Sequence, residues 1–374
     1  MQNPFIAVCV FIIILFFYIH ITSQWKTSDD AEIYEADFES PANLQEICSV
    51  KQPVIFKFAR NQLVAPFFEK FQAAQFEKHD NIDIRLKSRE DYDAKPSSTP
   101  GDDAVDFVPV SFRSARRLMM TDTNAKYFSE GNHAFLEESG LDRLSVIFDP
   151  MLKPPLSAYS KYDILLGSPL VATPLRYHLE SHRFLAVTRG KISVKMCPPK
   201  YGKILPQIRD YENYEFRTTV NPSRSANDQN DQNDQKDQQE VLNKIKFIDV
   251  EVNSGDVLFV PPYWWYSVSF SGDPQTTVAS FTYDVAMNVL AQSKHWALYY
   301  LQQSNIKTRP AKTIASESPV LKSEDDAPAN QDGASRSKDQ THGGEEFTHT
   351  SSGQKRPEIV TNAGIYVVGA RSNE

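Results

Sequence analysis

Gly255-Asp256-Val257-Leu258-Phe259-Val260-Pro261-Pro262-Tyr263-Trp264-Trp265-Tyr266-Ser267-Val268 is the stretch that decides the fold. It reads as a tight turn at Gly255, a buried strand over Val257 to Val260, a stop at Pro261-Pro262, and an aromatic corner. The segments on either side have the same character. Phe184 to Met196 is strand-like, with a hairpin turn at Arg189-Gly190-Lys191, and Pro198-Pro199 stops it. Ile245 to Val252 opens a second β section that turns at Asn253-Ser254-Gly255. Thr276 to Tyr283 is a further strand, followed by a helix over 285–301.

Nearer the N-terminus, Pro53 to Phe58 reads as a strand, Val64 to Phe76 as a helix, and Ile82 to Leu86 as a strand with one wet face. Residues 88–104 form a charged, Ser/Pro-rich loop. Helices are expected over Ser111 to Met120 and Asn132 to Ser139, the second ending at Gly140. Short strands between Gly and Pro turns predict a barrel or sandwich. Residues 222–240 (PSRSANDQNDQNDQKDQQE) read as an extruded loop. Residues 303–374 have few large apolar side chains and read as a disordered tail, with Ile365-Tyr366-Val367-Val368 left loose within it.

Phe5 to Ile21 holds no Asp, Glu, Lys or Arg and spans about 26 Å as a helix. Tyr18 and Trp25 sit where interfacial aromatics are favoured. The segment lacks the basic start and the small-residue cleavage site of a secretory signal, so it is expected to remain as a single-pass membrane anchor over 1–23. Residues 24–40 would be a stalk and 41–302 the folded domain. Lys26 lies beside Asp29, Asp30 and Glu32, which leaves the orientation unspecified. A net charge of −8 without a basic stripe argues against nucleic-acid binding. Arg113, Arg116 and Arg117 read as a solvated helix face. Three cysteines make no disulfide scaffold; Cys48 and Cys197 are available to pair, but nothing requires it.

Four pieces in order carry a family likeness: Thr173-Pro174-Leu175-Arg176-Tyr177-His178, Phe184 to Lys191, Cys197-Pro198-Pro199, and Gly255 to Val268. Together they resemble the JmjC/cupin-8-like (cupin-like domain) family over residues 52–301. The Thr-Pro-Leu-Arg-Tyr and Tyr-Trp-Trp-Tyr-Ser variants are similar to cupin-like membrane proteins of large DNA viruses and algae. The resemblance implies an α+β, mainly β fold: a double-stranded β-helix (cupin/jelly-roll) barrel with flanking helices, here joined to a transmembrane helix.

In the active family, two His and one carboxylate bind iron and leave positions open for 2-oxoglutarate and oxygen. Read from Thr173-Pro174, the first two ligand positions hold Arg176 and His178, and the distal one holds Tyr266. Arg does not ligate iron, and the phenol of a tyrosine ionises near pH 10. The Lys that commonly anchors 2-oxoglutarate is replaced by Ile192, with Lys191 and Lys195 on the opposite strand face. A second register would place His178 and Glu180 at the metal. Counted from Gly190, one register inserts a residue and the other deletes one, so spacing leaves both open.

The reading favoured by these residues is a membrane-anchored cupin-like protein without catalytic residues, metal or cofactor, acting in binding or scaffolding with a protein partner. Two alternatives stay open. One is an iron(II)/2-oxoglutarate-dependent hydroxylase using His178 and Glu180; the other is a metal-free small-ligand-binding cupin with Arg176 as an anion clamp. Trp264 and Trp265 are expected to pack the barrel's mouth. The anchor is checked by alkaline carbonate extraction of membranes carrying the chain. It should stay in the pellet, and release into the supernatant would contradict spanning.

Overall fold

Val257, Leu258, Phe259 and Val260 are all fully buried, because a separate apolar core lies on each side of their strand. Val257 and Phe259 face one core, Leu258 and Val260 the other, as the two-residue period of a strand requires. The protein is described by a computed structural model covering residues 4–58, 61–93, 104–223 and 232–304.

In chain order, α1 covers Pro4–Gln24, β1 Tyr34–Asp37, α2 Pro41–Ser49, β2 Val54–Lys57, α3 Ala65–Lys70, β3 Asp83–Ser88 and α4 Arg89–Asp93. Next come β4 Val108–Ser111, α5 Phe112–Thr121, β5 Tyr127–Ser129, α6 His133–Ser139 and α7 Asp142–Leu152. The strand-rich half opens with β6 Ser157–Gly167, β7 Arg176–Tyr177, β8 His182–Arg189, β9 Lys191–Cys197, β10 Ile208–Asp210 and β11 Glu215–Arg217. Helix α8, Gln232–Asn243, leads into β12 Ile248–Asn253, β13 Asp256–Val260, β14 Trp265–Phe270 and β15 Thr277–Val285. Helices α9, Ala286–Ala291, and α10, Ser293–Gln303, follow.

Among the described residues these strands make two sheets. The larger runs β1-β2-β13-β8-β15-β6-β5-β3-β4 and the smaller β10-β11-β7-β14-β9-β12. Pairing is antiparallel throughout except between β1 and β2, which run parallel. A core of Leu185, Val187, Val194, Val250, Leu258, Val268 and their neighbours fills the space between the sheets. The outer face of the large sheet is covered by α2, α3, α5, α6 and α7 through a phenylalanine-rich core. There Phe148 meets Phe67 at 5.1 Å and Phe281 at 5.3 Å between ring centroids. Leu175, Cys197, Leu205 and Trp265 form a third cluster.

Several expectations need correction. Arg189-Gly190-Lys191 is no hairpin turn: β8 belongs to the large sheet and β9 to the small one, so the chain passes from one to the other. Gly190, at φ 73°, makes that corner, and Gly255, at φ 92°, makes the one between β12 and β13; glycine alone adopts such angles without steric cost. The expected stalk, 24–40, contributes β1 to the sheet, with Tyr34 opposite Val54. The expected helix over Val64 to Phe76 ends at Lys70 and continues as a 3₁₀ turn at Ala73–Gln75. The expected helix over 285–301 breaks at Gln292, whose side-chain amide donates to the Tyr263 hydroxyl.

The expected loop over 222–240 carries α8 from Gln232 onward. Gln, Lys and Glu are good helix formers, and Lys244 pairs with Glu240 one turn back at 2.6 Å. Within the expected loop over 88–104, residues 89–93 form α4. Residues 94–103 and 224–231, and the expected tail beyond Ser304 with Ile365 to Val368, lie outside the described residues. Cys48 and Cys197 are buried and unpaired.

Helix α1 is long and apolar enough to cross a membrane, with a mean hydropathy of 2.8 over Phe5–Gln24 and none of its window buried. Its last turn is gripped by Lys51, whose amine donates to the carbonyls of Ser23 at 3.0 Å and Gln24 at 2.9 Å. A cation there satisfies orphan carbonyls and complements the helix dipole.

Gly167 ends β6 where a Cβ would stand 2.5 Å from Phe270 and 2.7 Å from Val171. Gly167→Ala therefore overpacks the space between the sheets and should cost about 1–3 kcal/mol. A lowered melting temperature would register it; an unchanged one would contradict the close approach.

Candidate functional site

Thr173 sets the register at the mouth of the space between the sheets. Its amide donates to the Val268 carbonyl at 2.8 Å and its hydroxyl accepts from the Val268 amide at 2.9 Å. Ser267 returns a hydroxyl bond to the Thr173 carbonyl at 2.5 Å. This clamp brings Arg176 opposite Tyr266 across β7 and β14. Tyr177 points to the other face, stacked on Phe216 and edge-on to Trp265.

Arg176 is held by a partner that the sequence did not suggest. Its guanidinium meets both carboxylate oxygens of Glu130, just past β5, in a two-pronged ion pair. Glu130 also accepts from Lys87 of β3 at 3.1 Å, and Lys87 reaches Glu215 of β11 at 2.5 Å. Tyr92 of α4 donates to the remaining Glu215 oxygen at 3.1 Å. Arg176 and Lys87 are each less than a tenth exposed in this alternating chain of two cations and two anions.

Charge persists there because each ion is matched. Burial pushes the Glu130 carboxyl up, but Arg176 and then Lys87 bring it below the usual carboxylate range. Burial disfavours the Lys87 ammonium, yet Glu215 and its neighbours raise it well above an ordinary lysine. The same logic holds Glu215 below the usual range through Lys87. Two cations lie over the Tyr92 ring, Lys87 at 5.6 Å and Arg217 at 5.3 Å from its centroid.

The structure gathers Arg176, His178 and Tyr266, while Glu180 joins through Arg183. Arg183 of β8 donates to the Tyr266 hydroxyl at 2.7 Å and lies 3.5 Å from Glu180. The guanidinium of Arg176 sits 5.6 Å from the centre of the Tyr266 ring, and the His178 ring meets that ring edge-on at 5.9 Å. His178 is 3 % exposed, and neither ring nitrogen has a hydrogen-bond partner, although the Val260 backbone lies close enough to favour its protonation. Burial foremost, then Arg183 and Arg176, pushes this imidazole well below the usual histidine range. Among the described residues no group of three or more His, Cys, Asp and Glu side chains converges as metal ligands would.

Ile192 turns into the core between the sheets. Lys191 and Lys195 lie on the outer face of β9, paired with Glu251 at 3.4 Å and Asp249 at 2.8 Å. Trp264 and Trp265 are fully buried on opposite faces, one between the sheets and one in the cluster beyond the small sheet. The exposed Arg113 and the mostly covered Arg116 both face Asp80, at 2.9 Å and 3.9 Å.

The sequence profile of the cupin-like domain family matches residues 40–290, and the chain belongs to that family. No curated protein matches the sequence.

Breaking a buried pair from one side strands a charge. Arg176→Met alone should cost about 3–5 kcal/mol in denaturant unfolding of the full chain in detergent. Arg176→Met with Glu130→Leu should cost less than the sum of the single changes by about 1–3 kcal/mol. Additive costs would show that the two side chains are not coupled.

Proposed function

We propose that this cupin-like domain protein is anchored in a membrane by α1 and that its domain does not catalyse, serving instead as a binding or scaffolding module for a protein partner. We read β6 to β9 and β12 to β15 as the eight strands of a double-stranded β-helix barrel. The strand orders β13-β8-β15-β6 and β12-β9-β14-β7 support that reading, since successive core strands mostly change sheet.

The observation that carries the non-catalytic reading is the pairing of Arg176 with Glu130 at the mouth of the barrel. The iron(II) that the family resemblance brings to mind does not fit these residues. Arg176 has no lone pair to offer, and the Tyr266 hydroxyl already receives a bond from Arg183. His178 has two guanidiniums acting on it, and a divalent cation beside them would be repelled. Glu180 is engaged by Arg183. A hydroxylase built on His178 and Glu180 would have to break that pairing and find a third ligand. The clamp reading of Arg176 is weakened as well, because Glu130 occupies both prongs of its guanidinium. The net charge of −8 favours a partner other than nucleic acid.

Titrating the full chain in detergent with iron(II), or with manganese(II) as a redox-stable stand-in, tests this reading. With and without 2-oxoglutarate, no saturable micromolar binding and no change in melting temperature are expected. Micromolar binding that disappears in His178→Ala would overturn the non-catalytic reading in favour of the hydroxylase alternative.

A further inference from the structure

A pocket of about 480 Å³ opens where the chain leaves α1. Its walls include Trp25, Tyr177, Tyr263, Trp265, Lys294 and His295, and among the described residues no Asp or Glu lines it. Trp25 directly follows Gln24, the last residue of α1, so one wall stands at the level where a spanning helix meets the lipid headgroups. Lys294 lines the pocket and Arg209 stands at its edge, donating to the lining Gln207 at 3.2 Å, while Asp284 acts on Tyr263 and Asp29 accepts from the Lys200 amide nearby. Arg209 acts on both Tyr177 and His295, and Lys294 also acts on His295, whose imidazole burial first, and then these cations, push below its ordinary range.

A second observation places the same side of the domain against a bilayer. Helix α9 lies against α1, whose last turn, residues 21–24, is less exposed than residues 10–20 before it. Beside it Leu290 and Leu156 are 49 % and 82 % exposed, and the Leu156 carbonyl accepts from the Ala286 amide that starts α9. Val50, 58 % exposed, precedes the Lys51 that grips the end of α1. Large exposed aliphatic side chains cluster around the point where α1 departs, as on surfaces that rest in the interfacial layer.

We infer that this pocket binds the phosphate-bearing headgroup of an anionic phospholipid from the bilayer that α1 enters. The inference rests on the reading of α1 as an anchor. Lys294 and Arg209 supply charge for the phosphate, while the aromatic walls take the glycerol and the first carbons of the acyl chains. A soluble phosphate ester shares the headgroup's chemistry but lacks the apolar part that Trp25 and Trp265 would cover.

The test uses the full chain, delipidated in a maltoside detergent and titrated with phosphatidylglycerol, phosphatidylcholine, glycerol phosphate or inorganic phosphate, with bound ligand counted by native mass spectrometry. Phosphatidylglycerol should bind at least about tenfold more tightly than phosphatidylcholine, and Arg209→Glu with Lys294→Glu should remove that preference. Both side chains are exposed, so an unchanged melting temperature confirms that the variant is folded. Equal binding of the two lipids, or a preference that survives charge reversal, would overturn the inference. Glycerol phosphate binding as tightly as phosphatidylglycerol would also overturn it and assign the pocket to soluble esters. Carbonate extraction separates the two readings. Release of the chain with the lipid preference intact would overturn only the anchor, whereas membrane retention without the preference would overturn only the lipid site.

Discussion

The buried chain of charges Arg176–Glu130–Lys87–Glu215 is the constraint around which the rest of the domain is arranged. Lys87 and Glu130 belong to the large-sheet side, on or just past β3 and β5, whereas Arg176 and Glu215 lie on β7 and β11 of the small sheet. The pairs Arg176–Glu130 and Lys87–Glu215 therefore each join one sheet to the other, and Arg183 with Tyr266 adds a further crossing. Buried ion pairs contribute little net stability, because desolvation offsets most of their attraction. Their geometry is what they enforce: a slip of one residue in β7 would turn Arg176 outward and leave Glu130 with Lys87 alone.

That demand explains the local devices nearby. The Thr173 and Ser267 bonds to β14 hold the short strand β7 in a single register. The apolar core between the sheets fills the interior beyond the charges, and Ile192 occupies one of its walls.

Much of this was legible in the sequence. The strand over Val257 to Val260, the turn at Gly255 and the buried tryptophans followed from apolar runs bounded by Gly and Pro. The sheet crossing at Gly190 did not, since a tight glycine turn looks the same whether its two strands pair with each other or part into different sheets. Glu130 and Lys87 were also hidden: they lie 46 and 89 residues before Arg176, and only tertiary pairing joins them. Lys87 continues the alternating run Ile84-Arg85-Leu86, yet nothing in that run marks a lysine that will be buried. The helix α8 was masked by composition, because an Asn/Asp/Gln-rich run resembles a loop until its Gln, Lys and Glu residues are weighed as helix formers.

The place of β15 carries a consequence for how the chain is made. It is one of the last strands in sequence, but it lies inside the large sheet between β8 and β6, pairing Val285 with Ser157 and Tyr283 with His182. β14 lies likewise between β7 and β9. Neither sheet can close before these residues leave the ribosome, and pairings so distant in sequence form slowly. By then α1, long and apolar enough to cross a membrane, has been complete for most of the synthesis, while the strands that follow it still have open edges. Until then the earlier strands keep unpaired edges, the state in which a sheet is most open to pairing with another chain.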